Sequence, residues 1–292
     1  MALALALAAG TARAAESAEA QPPKLNVFVS LLPQATFVGR IGGDHVKVGV
    51  LVGPGQSPHT FEPTPKQMTD LARARLFFAL GWPFEKRLVA KVTAANPQLR
   101  VVDTREGVPL RSMAAAEIDK DDADHQAGEP DPHIWVSPRL VKIQAATITR
   151  ALAAEDPAHA ADYEKSLKAF QEDLDRVDAR IAKALAPLKG KEMFVYHPAF
   201  GYFADAYGLK QVPVEVEGKE PSAKHLAAFI ERAKAAGVKI IFVQPQFSAK
   251  SAEAVARAIG GAVVPLDPTA KDYLANLETM AEKIGQALIN PR

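Results

Sequence analysis

The feature that most limits the fold is a single amphipathic stripe in the middle of the chain. Tyr163, Leu167, Phe170, Leu174, Val177, Ile181 and Leu185 recur at spacings of four, three, four, three, four and four. Those spacings place all seven on one helical face. Glu164, Lys168, Asp175 and Arg176 fill the other faces. Asp156-Pro157 supplies a cap and a first-turn proline, and Pro187 with Gly190 closes the run. At 1.5 Å per residue, some 30 residues reach about 45 Å. Fewer than about four heptads is short for a coiled coil. The expectation is a rigid spine joining two folded units.

On both sides of the spine the pattern alternates strand and helix. Before it, Leu25–Ser30, Val46–Val52, Leu76–Leu80 and Arg100–Asp103 read as strands, with helices at Phe37–Ile41 and Lys66–Ala74. After it, Met193–Tyr196, Val212–Val216, Lys239–Gln244 and Ala262–Leu266 read as strands. Helices are expected at Phe200–Tyr207, from a Ser222 cap through Ala236, at Ser251–Ile259 and at Tyr273–Ile289. Such alternation gives βαβ units and parallel sheets. The fold class expected is therefore α/β: two parallel-sheet lobes joined by one long linker helix. The units are residues 24–155, 156–188 and 189–292. A length of 292 residues agrees with two domains at about 150 residues each.

Residues 1–23 are set apart from the fold. Met1–Gly10 is a short apolar run, Ala12-Arg13-Ala14 offers a cleavage pattern, and a polar stretch follows. This reads as an export signal, too short for the roughly 20 apolar residues a membrane span needs. The segment from Met113 to Pro132 is acidic, with Asp119, Asp121, Asp122, Asp124, His125 and Glu129, and reads as a surface loop. A balance of 35 basic and 34 acidic residues gives no general attraction to nucleic acid, and no nucleic-acid partner is expected.

The chain has no cysteine, so a metal site must be built from His, Asp and Glu. His59 follows strand Val46–Val52 and a Gly/Pro turn, and His197 ends strand Met193–Tyr196. Asp267 ends strand Ala262–Leu266, and His133 follows the acidic loop. Ligand sites in open α/β sheets lie beyond the carboxyl ends of strands. Two of these four residues come from each side of the spine, which sets them around a cleft between lobes. Three imidazoles and a carboxylate would suit Zn²⁺ in a closed tetrahedral site, but by position alone a histidine after a strand is more often a hydrogen-bonded loop residue than a ligand. His45, His159 and His225 read as surface residues, and His125 as a candidate for a weak accessory site.

The same residues carry a resemblance. The segments Gly55–Thr64, around His59, and Asp131–Pro138, around His133, resemble two ligand segments of the zinc/manganese solute-binding proteins of ABC transporters, the ZnuA/TroA-like family. So do Tyr196–Phe203, around His197, and Leu266-Asp267-Pro268 with Asp272-Tyr273-Leu274. The resemblance runs from about Leu25 to the C-terminus. It implies two α/β lobes on a long helix and a metal held by His59, His133, His197 and Asp267. It also implies a periplasmic monomer that delivers the ion to a membrane permease, with no catalytic residue. Manganese-binding relatives tend to place Glu where His197 stands, so zinc is the expected ion and manganese the alternative. Zinc-specific relatives often carry a long His-rich loop; here the loop is short and acidic. Because imidazoles bind metal only when neutral, affinity is expected to fall below about pH 6.

A zinc metallohydrolase is the distant alternative, with Glu62, Glu215 or Glu217 as a base. It lacks an H-E-x-x-H helix, a G-x-S-x-G elbow and a Gly-rich phosphate loop. An adhesin is the third reading, and no repeat in the sequence supports it.

Overall fold

The computed structural model describes residues 24–113, 130–215, 222–247 and 249–289. The residues read as an export signal, most of the acidic segment including His125, and Glu217 lie outside the described residues.

The first half forms a parallel sheet from β1 (Leu25–Leu31), β2 (Val46–Val52), β3 (Leu76–Ala79) and β4 (Arg100–Asp103), in the order β2-β1-β3-β4. Helices α1 (Leu32–Gly42), α2 (Pro65–Leu71) and α3 (Pro83–Ala95) make the crossovers. Each has proline in its first turn, where the missing N–H costs no hydrogen bond. Val27 in β1 pairs with Val48 and Leu76, and the central strands β1 and β3 are apolar almost throughout, as strands covered on both faces must be.

Two long helices follow, α4 (Pro138–Glu155) and α5 (Ala160–Leu185). The sequence reading anticipated only the second. Tyr163, Phe170, Leu174, Val177, Ile181 and Leu185 are all buried, as the stripe requires. The cap differs from expectation. Pro157–His159 forms a 3₁₀ turn, and Asp156 makes no side-chain bond to the helix backbone. Its Oδ2 instead accepts from His159 Nδ1 at 2.7 Å and from Tyr163 Oη at 2.6 Å.

The second half repeats the plan. Strands β5 (Glu192–Val195), β6 (Lys210–Pro213), β7 (Ile240–Val243) and β8 (Ala262–Pro265) are parallel, in the order β6-β5-β7-β8. Around them lie α6 (Gly201–Tyr207), α7 (Ala223–Ala235), α8 (Ala249–Ala258) and α9 (Tyr273–Ile289). Ser222 caps α7 by accepting from the His225 amide at 3.2 Å.

One apolar core runs through both halves. It includes Val27 and Phe78 of the first sheet, Ile148 and Phe170 of α4 and α5, Val195 and Phe242 of the second sheet, and Ile284 of α9. A smaller cluster around Phe194, Phe229 and Ile241 lies wholly in the second half. Phe37 of α1 joins the helices: its ring is 4.7 Å from Tyr273 of α9, edge-on, and 5.9 Å from Phe170 of α5.

Candidate metal centre

Strand register explains why His197 stands where it does. Val195 pairs with Pro213 on one side and Phe242 on the other. Two residues further along, His197 falls between Glu215 and Gln244. The imidazole Nδ1 is 2.8 Å from Glu215 Oε2. Gln244 clamps the backbone, accepting from the His197 amide at 3.3 Å and donating to its carbonyl at 2.7 Å. His197 thus sits where the strand order reverses, at the carboxyl end of β5.

His133 is fixed by its own neighbourhood. Asp131 Oδ1 accepts from the His133 amide at 3.0 Å and lies 2.7 Å from Nδ1. Just beyond, the Trp135 indole donates to the Pro268 carbonyl at 2.8 Å, and Tyr273 Oη donates to the Trp135 carbonyl at 2.7 Å. The second and fourth motifs of the sequence therefore interlock. His59 sits in the loop between β2 and α2. That loop is closed by Thr64, whose Oγ1 caps α2, and by Gln67 Nε2, which donates to the Leu51 carbonyl at 2.6 Å.

These three histidines meet. Nε2 of His197 lies 3.0 Å from Nε2 of His59 and 3.3 Å from Nε2 of His133. Zn–N bonds of 2.0–2.1 Å in a tetrahedron put neighbouring nitrogens about 3.3 Å apart. An ionised carboxylate only accepts, so Asp131 and Glu215 hold the proton on Nδ1 of His133 and His197. In that tautomer the Nε2 atoms of His133 and His197 each present a lone pair toward the space between the rings. Carboxylates behind ligating imidazoles fix the tautomer in this way at many zinc sites. The cavity at the meeting point measures about 20 Å³ and is lined by His59, His133, His197, Trp135, Phe247 and Thr269, among others. Trp82 meets His59 edge-on at 5.0 Å, and Phe247 stacks on His197 at 4.6 Å.

Among the described residues, the group able to share an ion is His59, His133 and His197, with ligand atoms within 4.8 Å of one another. Asp267 is adjacent but not in that group. Its Oδ1 accepts from Gln246 Nε2, Thr269 N and Thr269 Oγ1, each at 2.9 Å. His45 and His159 stack on each other at 3.8 Å, away from this site, against Asp162 and Asp156. Glu62 is exposed, and Glu215 serves as the partner of His197. The sequence reading missed the supporting roles of Asp131, Gln244 and Gln246, although Asp131 stands inside a quoted motif.

Burial drives the His59 imidazole down from its ordinary 6.5 to about 3, helped by the neighbouring His133. Burial, with His133 and His59 close by, also holds His197 well below the ordinary value. Burial thus favours the neutral form of both rings, the form that can bind a metal ion. The sign for stability follows. Between about 3 and 6.5 the unfolded chain binds a proton at His59 that the folded chain does not. The zinc-free protein should therefore lose stability as pH falls through this window and gain none above it. Melting temperatures from pH 7.5 to 4 check this; a flat profile contradicts it.

Asp131→Asn should weaken zinc binding by about 10- to 100-fold, the usual effect of losing a ligand's partner. An isothermal competition titration against a chelator reads it directly, and unchanged affinity would show that Asp131 does not tune His133.

The chain is similar to known proteins along most of its length. A family model described as zinc-uptake complex component A periplasmic (ZnuA) matches residues 27–287. The high-affinity zinc uptake system protein ZnuA of Bacillus subtilis is 32% identical over 261 residues, covering 88% of this chain and 82% of that protein. A crystal structure of a ZnuA deletion mutant with zinc bound superposes with a TM-score of 0.83 at 40% identity, covering 91% of this chain and 98% of that one. The solute-binding protein FpvC of Pseudomonas aeruginosa, solved with Mn²⁺, shares the fold at a TM-score of 0.79 and 24% identity, covering 91% of this chain and 99% of that one. The chain belongs to the ZnuA family of periplasmic zinc-uptake components.

Proposed function

We propose that this protein is a high-affinity zinc receptor that captures the ion between its lobes and delivers it to an ABC-type membrane permease. The observation that carries this reading is the convergence of three Nε2 atoms, 3.0 and 3.3 Å apart, in a cavity of about 20 Å³. His59, His133 and His197 are the proposed ligands. Asp267 completes the tetrahedron when the ion draws its carboxylate in from Gln246 and Thr269. The linker of residues 156–188 joins lobes of residues 24–155 and 189–292. Residues 1–23 direct export to the periplasm, and the receptor works as a monomer.

The receptor reading is preferred to a zinc hydrolase because the chain belongs to a family of zinc-uptake components.

Zinc is preferred to manganese because imidazole is a poorer ligand for Mn²⁺ than oxygen donors are. The test is competition titration of the chelator-stripped protein with both ions. Zinc should bind at least about 100-fold more tightly, in line with the Irving–Williams order. Tighter manganese binding would overturn the zinc assignment, and binding of neither ion would overturn the receptor reading.

A further inference from the structure

Behind the Nδ1 side of His133 lies a charged cluster that zinc coordination does not use. Asp131 is buried; its Oδ1 serves His133, and its Oδ2 lies 3.5 Å from Arg111 Nη1. Arg111 Nε is in turn 3.2 Å from Asp205 Oδ2 on α6, the helix that starts four residues after His197. The guanidinium carbon lies 5.8 Å from the centre of the Tyr202 ring. Tyr202 Oη accepts from the Arg111 amide at 3.0 Å and donates to the Asp131 carbonyl at 3.0 Å. The Asp131 amide donates to the Arg111 carbonyl at 2.8 Å.

Gly201 marks how closely the guanidinium is held. A Cβ there would fall 1.3 Å from Arg111 Nη1 and 3.0 Å from Asp131 Oδ2. The space above Gly201 is thus filled by the arginine. Arg111 and Asp131 precede the linker helix; Gly201, Tyr202 and Asp205 follow it. One side chain therefore ties the segment bearing His133 to the segment bearing His197.

We propose that Arg111 is a positioning residue for zinc binding. Bridging Asp131 and Asp205, it fixes the carboxylate that aims His133 and sets the separation of His133 from His197 across the lobes. The planar guanidinium can hold two carboxylates at once, whereas a lysine ammonium is a point charge. The proposal rests on the zinc-receptor reading above.

The experiment uses the full chain as Arg111→Gln, Arg111→Lys and Gly201→Ala. It measures zinc affinity by competition, the visible absorption of the Co²⁺-loaded protein, and the melting temperature without metal. Arg111→Gln should weaken zinc by about 10- to 100-fold and alter the Co²⁺ bands, as loss of a ligand's support does. Arg111→Lys should recover only part of the affinity. Gly201→Ala, which keeps the charge but displaces the guanidinium, should weaken zinc in the same direction, and it decides the matter if Arg111→Gln does not fold. Lower melting temperatures with unchanged zinc affinity and unchanged Co²⁺ bands would make Arg111 a plain structural clamp and overturn the proposal. The unmodified chain is the separate arm: failure of that chain to bind zinc would overturn the receptor reading itself, and this inference with it.

Discussion

His197→Ala should remove high-affinity zinc binding almost completely. His197 supplies the Nε2 that stands within 3.3 Å of both other imidazoles. Without it the cavity keeps two ring nitrogens that no longer close around an ion. A loss of at least about a thousandfold is expected, near 4 kcal/mol at 1.4 kcal/mol per decade. The thermal readout is equally large. At zinc a thousandfold above the Kd, the unmodified protein gains about 4 kcal/mol, and the variant should gain almost nothing. At roughly 2–4 °C per kcal/mol, that difference is about 10 °C in Tm. Glu215 also loses its imidazole partner, so the metal-free variant should melt somewhat earlier. A variant that keeps the zinc-induced shift would place the metal elsewhere.

The second large effect concerns the frame rather than the site. Phe37→Ala should cost about 3–5 kcal/mol, the usual range for a buried phenylalanine. Phe37 is fully buried and touches Phe170 and Tyr273, so one truncation opens a hole shared by α1, α5 and α9. Because one apolar core runs through both halves, the melt should stay a single transition displaced downward by about 10 °C. Differential scanning calorimetry checks this. Splitting into two transitions, with only one displaced, would show that the halves unfold separately.

Much of the frame was legible because periodicity records burial. The stripe from Tyr163 to Leu185 is buried residue for residue, apart from the half-buried Leu167. The strands that precede His197 and Asp267 are where alternation placed them, within a few residues. Helix α4 was missed although Ser137-Pro138 opens it and Val141, Ala145, Ile148 and Leu152 recur at helical spacing. Its small residues, threonines and Gln144 dilute the apolar contrast that marks α5.

The site was legible in part for a different reason. His59, His133 and His197 stand in segments that resemble ligand segments of the ZnuA/TroA-like family, and their Nε2 atoms meet in the structure. Their supports are set by three-dimensional register. Glu215 lies 18 residues from His197, and only the pairing of β5 with β6 makes them neighbours. Gln246 meets Asp267 because β7 pairs with β8. No local pattern reveals such pairs, because crossover helices of variable length separate them. Arg111 is further still from Asp205 in sequence and is placed by the approach of the two lobes.

The most direct test is anomalous diffraction at the zinc absorption edge from crystals of the zinc-loaded protein. The structure predicts one strong peak among His59, His133 and His197, with each Nε2 at about 2.0–2.1 Å from the ion. A principal peak anywhere else, or an ion held by fewer than three of these imidazoles, would contradict it.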